Sequence, residues 1–126
     1  MVIIQDRSKR KATGGRYKVK KTKRLSRAGS RPILTRIGEK KTKTIRTIGG
    51  SIKKKAVQVE FVNAFDSKTK KYIKAKVESV ISNPANRHYI RRNIITKGSI
   101  VKTDKGPVKI TNRPGQEPFV NGILVE

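Results

Sequence analysis

The chain has 126 residues, with 33 Lys plus Arg against 8 Asp plus Glu, and a formal net charge of +25. A compact body with one excess positive charge for about every five residues would repel itself strongly, so a polyanionic partner is implied. The length allows one domain, and the absence of cysteine with a single histidine excludes disulfide frameworks, Cys-type zinc sites and thiol catalysis.

At the N-terminus, the run Met1-Val2-Ile3-Ile4 is far short of the ~20 residues that cross a bilayer. It has no basic region before it and meets Gln5-Asp6 at once, so it is not expected to be a signal peptide either. Between Arg7 and Arg31 there are twelve Lys or Arg and no acid. Only Tyr17, Val19 and Leu25 are sizeable apolar residues there, which is too little burial to offset an ordering cost of roughly 1–2 kcal/mol per residue. Residues 1–32 are therefore expected to be a basic extension, flexible in isolation. Residues 33–126 are expected to be the folded domain.

That domain has 33 apolar residues, of which 22 are Val or Ile, while leucine occurs three times in the whole chain. β-Branched side chains suit a pleated surface and crowd a helix, so the composition predicts strands. A first strand spans 42–48 and ends at Gly49-Gly50-Ser51. Val57, Val59 and Phe61 alternate with Gln58 and Glu60, and Ile73, Ala75 and Val77 alternate with Lys74, Lys76 and Glu78 through to Ile81. Both patterns have period two, with one face buried. The loop 65–69 joins them as a hairpin. Asn83 as cap and Pro84 at the first position start one short helix, ending near Arg91. Thr103-Asp104-Lys105-Gly106 joins strands 100–102 and 108–111 as a second hairpin, and a last strand spans 119–125. The expected fold is all-β: a small barrel-like antiparallel sheet domain of about six strands, with Phe61, Phe65 and Phe119 in its core.

Enzymatic chemistry finds little support. The eight carboxylates are scattered at positions 6, 39, 60, 66, 78, 104, 117 and 126, and no pair is close enough in sequence to suggest acid/base or metal work. His88, beside Arg87 and Tyr89, fits a surface or RNA-stacking role better than a general base. The glycine pairs lack the spacing of a phosphate-cradling loop and read as turns. No cofactor, metal or small-molecule substrate is expected, and no membrane contact, since no helical stripe of large apolar residues accompanies the charge.

Phosphate binding has abundant means. Lys acts as a mobile point charge, whereas the planar Arg fork can grip a phosphate or stack on a base. In the extension the candidates are Arg7, Lys9, Arg10, Lys11, Arg16, Lys18, Lys20, Lys21, Lys23, Arg24, Arg27 and Arg31, with Thr13, Gly14 and Gly15 supplying a bend. In the body they are Lys40, Lys41, Lys43 and Arg46, then Lys53, Lys54 and Lys55, then Arg87, His88, Arg91 and Arg92. Lys74 and Lys76 share a polar strand face and extend the basic surface. With three Tyr and three Phe, an aromatic platform for single strands is not favoured. Tyr17 and Tyr89 are the aromatics placed to touch a base. Shape-and-phosphate recognition of structured RNA is the physical expectation.

Several spaced motifs carry a resemblance over nearly the whole chain. They are Lys11-Ala12-Thr13-Gly14-Gly15, Gly29-Ser30-Arg31-Pro32, Thr35 with Ile37-Gly38, Arg46-Thr47-Ile48-Gly49-Gly50 with Lys53, Arg91-Arg92-Asn93-Ile94-Ile95-Thr96-Lys97-Gly98, and Asn112-Arg113-Pro114-Gly115-Gln116. Together they resemble the archaeal and eukaryotic eight-e family of small-subunit ribosomal proteins. The short chain is similar to archaeal members, since eukaryotic ones carry a large insertion. The resemblance implies a cytoplasmic structural protein of the ribosome, bound to small-subunit ribosomal RNA and neighbouring small-subunit proteins, and not a stable homo-oligomer. It matches Lys11, Thr13, Gly14, Gly15 and Arg16 to the family's arm motif, and Arg31, Arg46, Lys53, Arg91 and Arg92 to family basic positions. Two rivals stay open on residues alone: a DNA-compacting architectural protein, and an RNA-processing enzyme that the scattered acids disfavour.

Overall fold

The computed structural model describes residues 3–4, 7–18 and 25–125. The chain divides into two units, residues 1–32 and 33–126.

In the first unit, β1 (Ile3–Ile4) pairs antiparallel with β2 (Ala28–Gly29), which follows a single 3-10 turn at Leu25–Arg27. Between them, Arg10 and Arg16 face each other in a lone antiparallel bridge. The bridge is closed by a turn in which Lys11 N–H donates to the Gly15 carbonyl at 2.7 Å and Gly14 N–H to the Lys11 carbonyl at 3.0 Å. Gly14 takes φ +83° there, a left-handed conformation that glycine adopts without steric cost.

The second unit is all-β, as its Val/Ile bias predicts. Its strands are β3 (Thr35–Ile37), β4 (Lys41–Arg46), β5 (Ile52–Val59), β6 (Phe61–Asp66), β7 (Lys71–Ser82), β8 (Ile94–Ile95), β9 (Ile100–Thr103), β10 (Gly106–Ile110) and β11 (Asn121–Leu124). Five of them close a barrel in the order β10-β11-β6-β7-β9, and four form a sheet in the order β4-β5-β3-β8. Strand pairing is not wholly antiparallel, because β11 runs parallel to β6 and β3 parallel to β5. Both expected hairpins are present, β6 with β7 and β9 with β10.

The barrel is filled by small β-branched and alanine side chains. Val62, Ala64, Ala75, Val101 and Val108 are fully buried, with Val59, Val77, Val80, Ile95, Ile110 and Val120 completing the cluster. Buried polar groups each have a partner. Thr35 Oγ1 donates to the Ala56 carbonyl at 2.8 Å, Ser99 Oγ to the Thr96 carbonyl at 2.8 Å, and Thr103 Oγ1 to the Gly106 carbonyl at 2.6 Å. Satisfying them inside removes the penalty of a lone buried polar atom.

Three expectations need correction. Phe61 and Phe119 are 39% and 46% exposed, Phe65 is half-buried on the outer face of β6, and the barrel interior is filled without any of the three. The alternation Val57–Phe61 is broken at Glu60, where β5 ends and β6 begins, so Val62 and Ala64 face inward and Phe61 outward. Along β7, register shifts between Val77 and Ser79 move burial to Val80 and leave Ile81 half exposed; an extra residue in one strand switches which side chains face in. The third correction is the helix. Asn83 does not cap it: its Oδ1 accepts from Ala85 N–H and Thr96 Oγ1, and its Nδ2 donates to the Ile94 carbonyl. That Asx turn begins a loop, and α1 is a single turn, His88–Arg91.

The β6–β7 hairpin turn is held by Asp66, whose carboxylate accepts from Thr69 Oγ1 at 2.8 Å and Lys68 N–H at 2.9 Å. These bonds, the Thr69 hydroxyl foremost, hold the Asp66 carboxyl below the usual carboxylate range. A depressed pKa adds stability that is present above the unfolded-state value and lost as pH falls through the folded one. The turn should therefore persist in acid past the ordinary Asp titration. The Lys68 amide shift, followed by NMR, should move only as Asp66 itself protonates, and D66N should remove that transition.

Candidate nucleic-acid interface

The strongest concentration of charge lies on the β4–β5 ribbon. Its root is Ala56, fully buried, whose N–H is shared by the carbonyls of Pro114 and Glu117 at 3.0 Å each. From there the strands pair Thr42 with Ala56, Lys43 with Lys55, Thr44 with Lys54, Ile45 with Lys53, and Arg46 with Ile52. Partners opposite one another share a face. One face therefore carries Lys43, Lys53 and Lys55, and the other carries Arg46 and Lys54. Lys53 Nζ donates to Gln116 Oε1 of the 113–118 loop, which anchors one cation at the ribbon's side.

The ribbon ends in a turn at residues 47–51. Thr47 N–H and Oγ1 both donate to the Ser51 carbonyl, at 2.7 and 2.9 Å, and Gly49 and Gly50 sit at φ +88° and +89°. Ile48 stands fully exposed at the tip and Ile52 beside it is 68% exposed. A two-faced basic ribbon with a narrow glycine tip can enter a groove between phosphate strands. The direct opposition of Lys43 and Lys55 is unfavourable in the free protein, and a phosphate between them would relieve it.

A second basic face lies on α1. Arg87 and Arg92 flank the helical turn, and Arg87, His88, Arg91 and Arg92 are all exposed, while Tyr89 and Ile90 are half-buried. Residues four apart share a side of a helix, so the pairs 87/91 and 88/92 present the four polar groups outward together. Tyr89 is thus drawn partly toward the body.

In the first unit, Lys9, Lys11 and Lys18 are exposed along with Arg7, Arg10 and Arg16. Arg10 Nη1 donates to the Gly14 carbonyl at 3.1 Å, so Thr13-Gly14-Gly15 serves as the hub that sets Arg10 opposite Arg16. The Arg7 guanidinium carbon lies 3.9 Å above the Tyr17 ring and Lys11 Nζ 5.5 Å from it; the aromatic face expected to meet a base is already occupied by cations. Arg27 and Arg31 are exposed. Lys20, Lys21, Lys23 and Arg24 lie outside the described residues.

On the barrel, Lys76 pairs with Glu60 at 3.5 Å and Lys102 with Glu78 at 3.1 Å. Such exposed pairs contribute about 0–1 kcal/mol, but they reduce the local positive field. The basic surface expected from Lys74 and Lys76 is thereby halved to Lys74. Sequence reasoning passed over Tyr72, 80% exposed on β7 beside Phe65. The 65–69 hairpin loop held the clue, since its register sets position 65 against 72. Among the described residues, no three His, Cys, Asp or Glu gather as metal ligands, and no helix is long and apolar enough to cross a membrane.

The second unit is thus a closed β-barrel and an adjoining sheet, with Lys and Arg gathered on the β4–β5 ribbon and around α1. Comparison with known proteins narrows the class. Residues 4–125 match the family described as ribosomal protein S8e. The chain is 46% identical over 125 residues to the small ribosomal subunit protein eS8 of Methanocorpusculum labreanum, covering 99% of this chain and all of that one. It is 44% identical over 128 residues to the protein of the same name from Methanococcus aeolicus, covering 99% and 98% of the two chains. A third relative of that name, from Methanospirillum hungatei, is 43% identical over 122 residues, or 97% and 98%. The chain belongs to the ribosomal protein S8e family.

Proposed function

We propose that this protein is a structural constituent of the small ribosomal subunit that binds and stabilises folded small-subunit ribosomal RNA. It does so through its basic extension, the β4–β5 ribbon and the α1 face, in the cytoplasm and alongside other small-subunit proteins. The observation that carries the reading is the ribbon, where Lys43 stands opposite Lys55 and cations occupy both faces. A like-charge pair across two strands is unfavourable for the isolated fold, and a polyanion reverses its sign. Arg and Lys on a rigid ribbon bind phosphates without reading bases, which suits a folded RNA of fixed shape.

Replacing Lys43, Lys53, Lys54 and Lys55 together by Gln tests this. Every phosphate that the protein no longer neutralises lowers the slope of log affinity against log salt by about 0.9. The quadruple variant should bind a small-subunit rRNA fragment more weakly, with a slope smaller by up to about 3.6. Its midpoint in urea should stay the same or rise, because a repulsive pair has gone. Unchanged affinity and slope would remove the ribbon from the interface. Tight binding to duplex DNA, with no cosedimentation with small subunits in moderate salt, would instead identify the architectural DNA protein.

A further inference from the structure

The outer wall of the barrel carries a site that charge does not reveal. Strand register aligns Lys109 with Ile123, Ile123 with Phe65, and Phe65 with Tyr72, in one row across β10, β11, β6 and β7. The adjacent row aligns Asn121 with Asn63 and Asn63 with Lys74. Val62, Ala64 and Gly122 fill the interior, so both rows face outward. Tyr72 is 80% exposed and Ile123 41%, while the Phe65 and Tyr72 rings lie 5.1 Å apart at an interplanar angle of 51°. The rows border a groove of about 630 Å³.

Its chemistry is sorted by position. The apolar row offers ring faces and a flat aliphatic side chain. In the polar row, Asn63 Nδ2 donates to Asn121 Oδ1 at 3.1 Å. That leaves the Asn63 side-chain oxygen as an acceptor and the Asn121 side-chain amino group as a donor on the same pair. Lys74 lines the groove with its ammonium 4.3 Å over the Phe61 ring, Lys109 stands at the end of the apolar row just beyond the lining, and no carboxylate lines the groove. Aromatic faces bind bases, a neighbouring donor and acceptor match a base edge, and flanking ammonium groups hold phosphates.

We infer that this groove receives an unpaired nucleotide of the bound RNA, its base against Tyr72 and Phe65, its edge on the Asn63–Asn121 pair, and its phosphates near Lys74 and Lys109. The inference rests on the RNA-binding reading above and adds single-stranded recognition to it. An apolar segment of a neighbouring protein is the competing occupant. It would use Ile123 and the rings and leave the remaining donor and acceptor of the Asn63–Asn121 pair unused.

The test uses the full chain and two RNA probes: an unstructured oligonucleotide of about ten residues and a fully paired RNA hairpin. With wild-type protein, the oligonucleotide should shift the amide resonances of Phe65, Tyr72 and Ile123, and the hairpin should shift those of the β4–β5 ribbon. Tyr72 is exposed, so Y72A should fold. It should weaken the oligonucleotide about fivefold to a hundredfold and the hairpin less than about twofold, and Y72F should restore the oligonucleotide. Oligonucleotide shifts confined to the ribbon, or Y72A acting equally on both probes, would overturn the groove and leave the ribbon's role intact. Failure of both probes to bind would overturn the RNA-binding reading with it. Capture of an apolar peptide at Phe65 and Ile123, with no oligonucleotide effect, would overturn the nucleotide site and assign the groove to a protein.

Discussion

Deleting residues 1–32 is expected to leave the β body folded while removing much of the affinity for ribosomal RNA. Every buried hydrophobic residue described lies between Ala56 and Val120, so the deletion takes none of them away. It does remove the twelve Lys and Arg found between Arg7 and Arg31. If about half of them meet phosphates, the salt slope should fall by about 5, and affinity by several orders of magnitude at low salt. Circular dichroism and the urea midpoint of residues 33–126 report on folding, and binding across a salt series reports on the slope. An unfolded truncation would refute the division at 32, and an unchanged slope would refute the extension's part in binding.

Gly122→Ala should cost the fold heavily although it adds a single methyl group. Gly122 is buried on β11, where it pairs with Ala64 of β6 and Ile110 of β10. A Cβ there would sit 2.7 Å from the Lys109 carbonyl oxygen and closer still to Val108 Cγ1. Val108 fills the barrel and the carbonyl belongs to the neighbouring strand, so neither can yield without parting the wall. Overpacking of this kind costs about 2–3 kcal/mol, read as a lower urea midpoint at constant m-value. Gly49→Ala is the useful contrast. Its Cβ would meet nothing within 4 Å, and its φ of +88° carries only a left-handed penalty of about 1–2 kcal/mol. If G122A were the milder of the two, the closure of the barrel at β11 would be wrong.

The all-β class was legible because Val and Ile dominate the body, and both hairpins because their loops are short and local. What the residues do not show is which face a run presents once the chain turns a corner. Val57, Val59 and Phe61 keep period two across Glu60, yet Phe61 opens a new strand in the barrel wall and points outward. The parallel pairs β3–β5 and β6–β11 join segments far apart in sequence, and no local pattern encodes such partners. The basic clusters were visible as runs. Their sorting onto two faces of a ribbon depended on the register of Lys43 with Lys55. The outer groove was hidden for the same reason, since Ile123 reaches Phe65 only through a parallel pairing of distant strands.

The order β4-β5-β3-β8 leaves two strands at open edges of that sheet. One of them, β8, has two residues, too few to template another chain. The other, β4, is six residues long and carries Lys41, Lys43 and Arg46. Charged side chains on an edge strand disfavour the addition of a second strand, and a copy of this chain would bring the same charges to the contact. The basic side chains proposed to grip phosphate thus also disfavour strand exchange between copies of this chain.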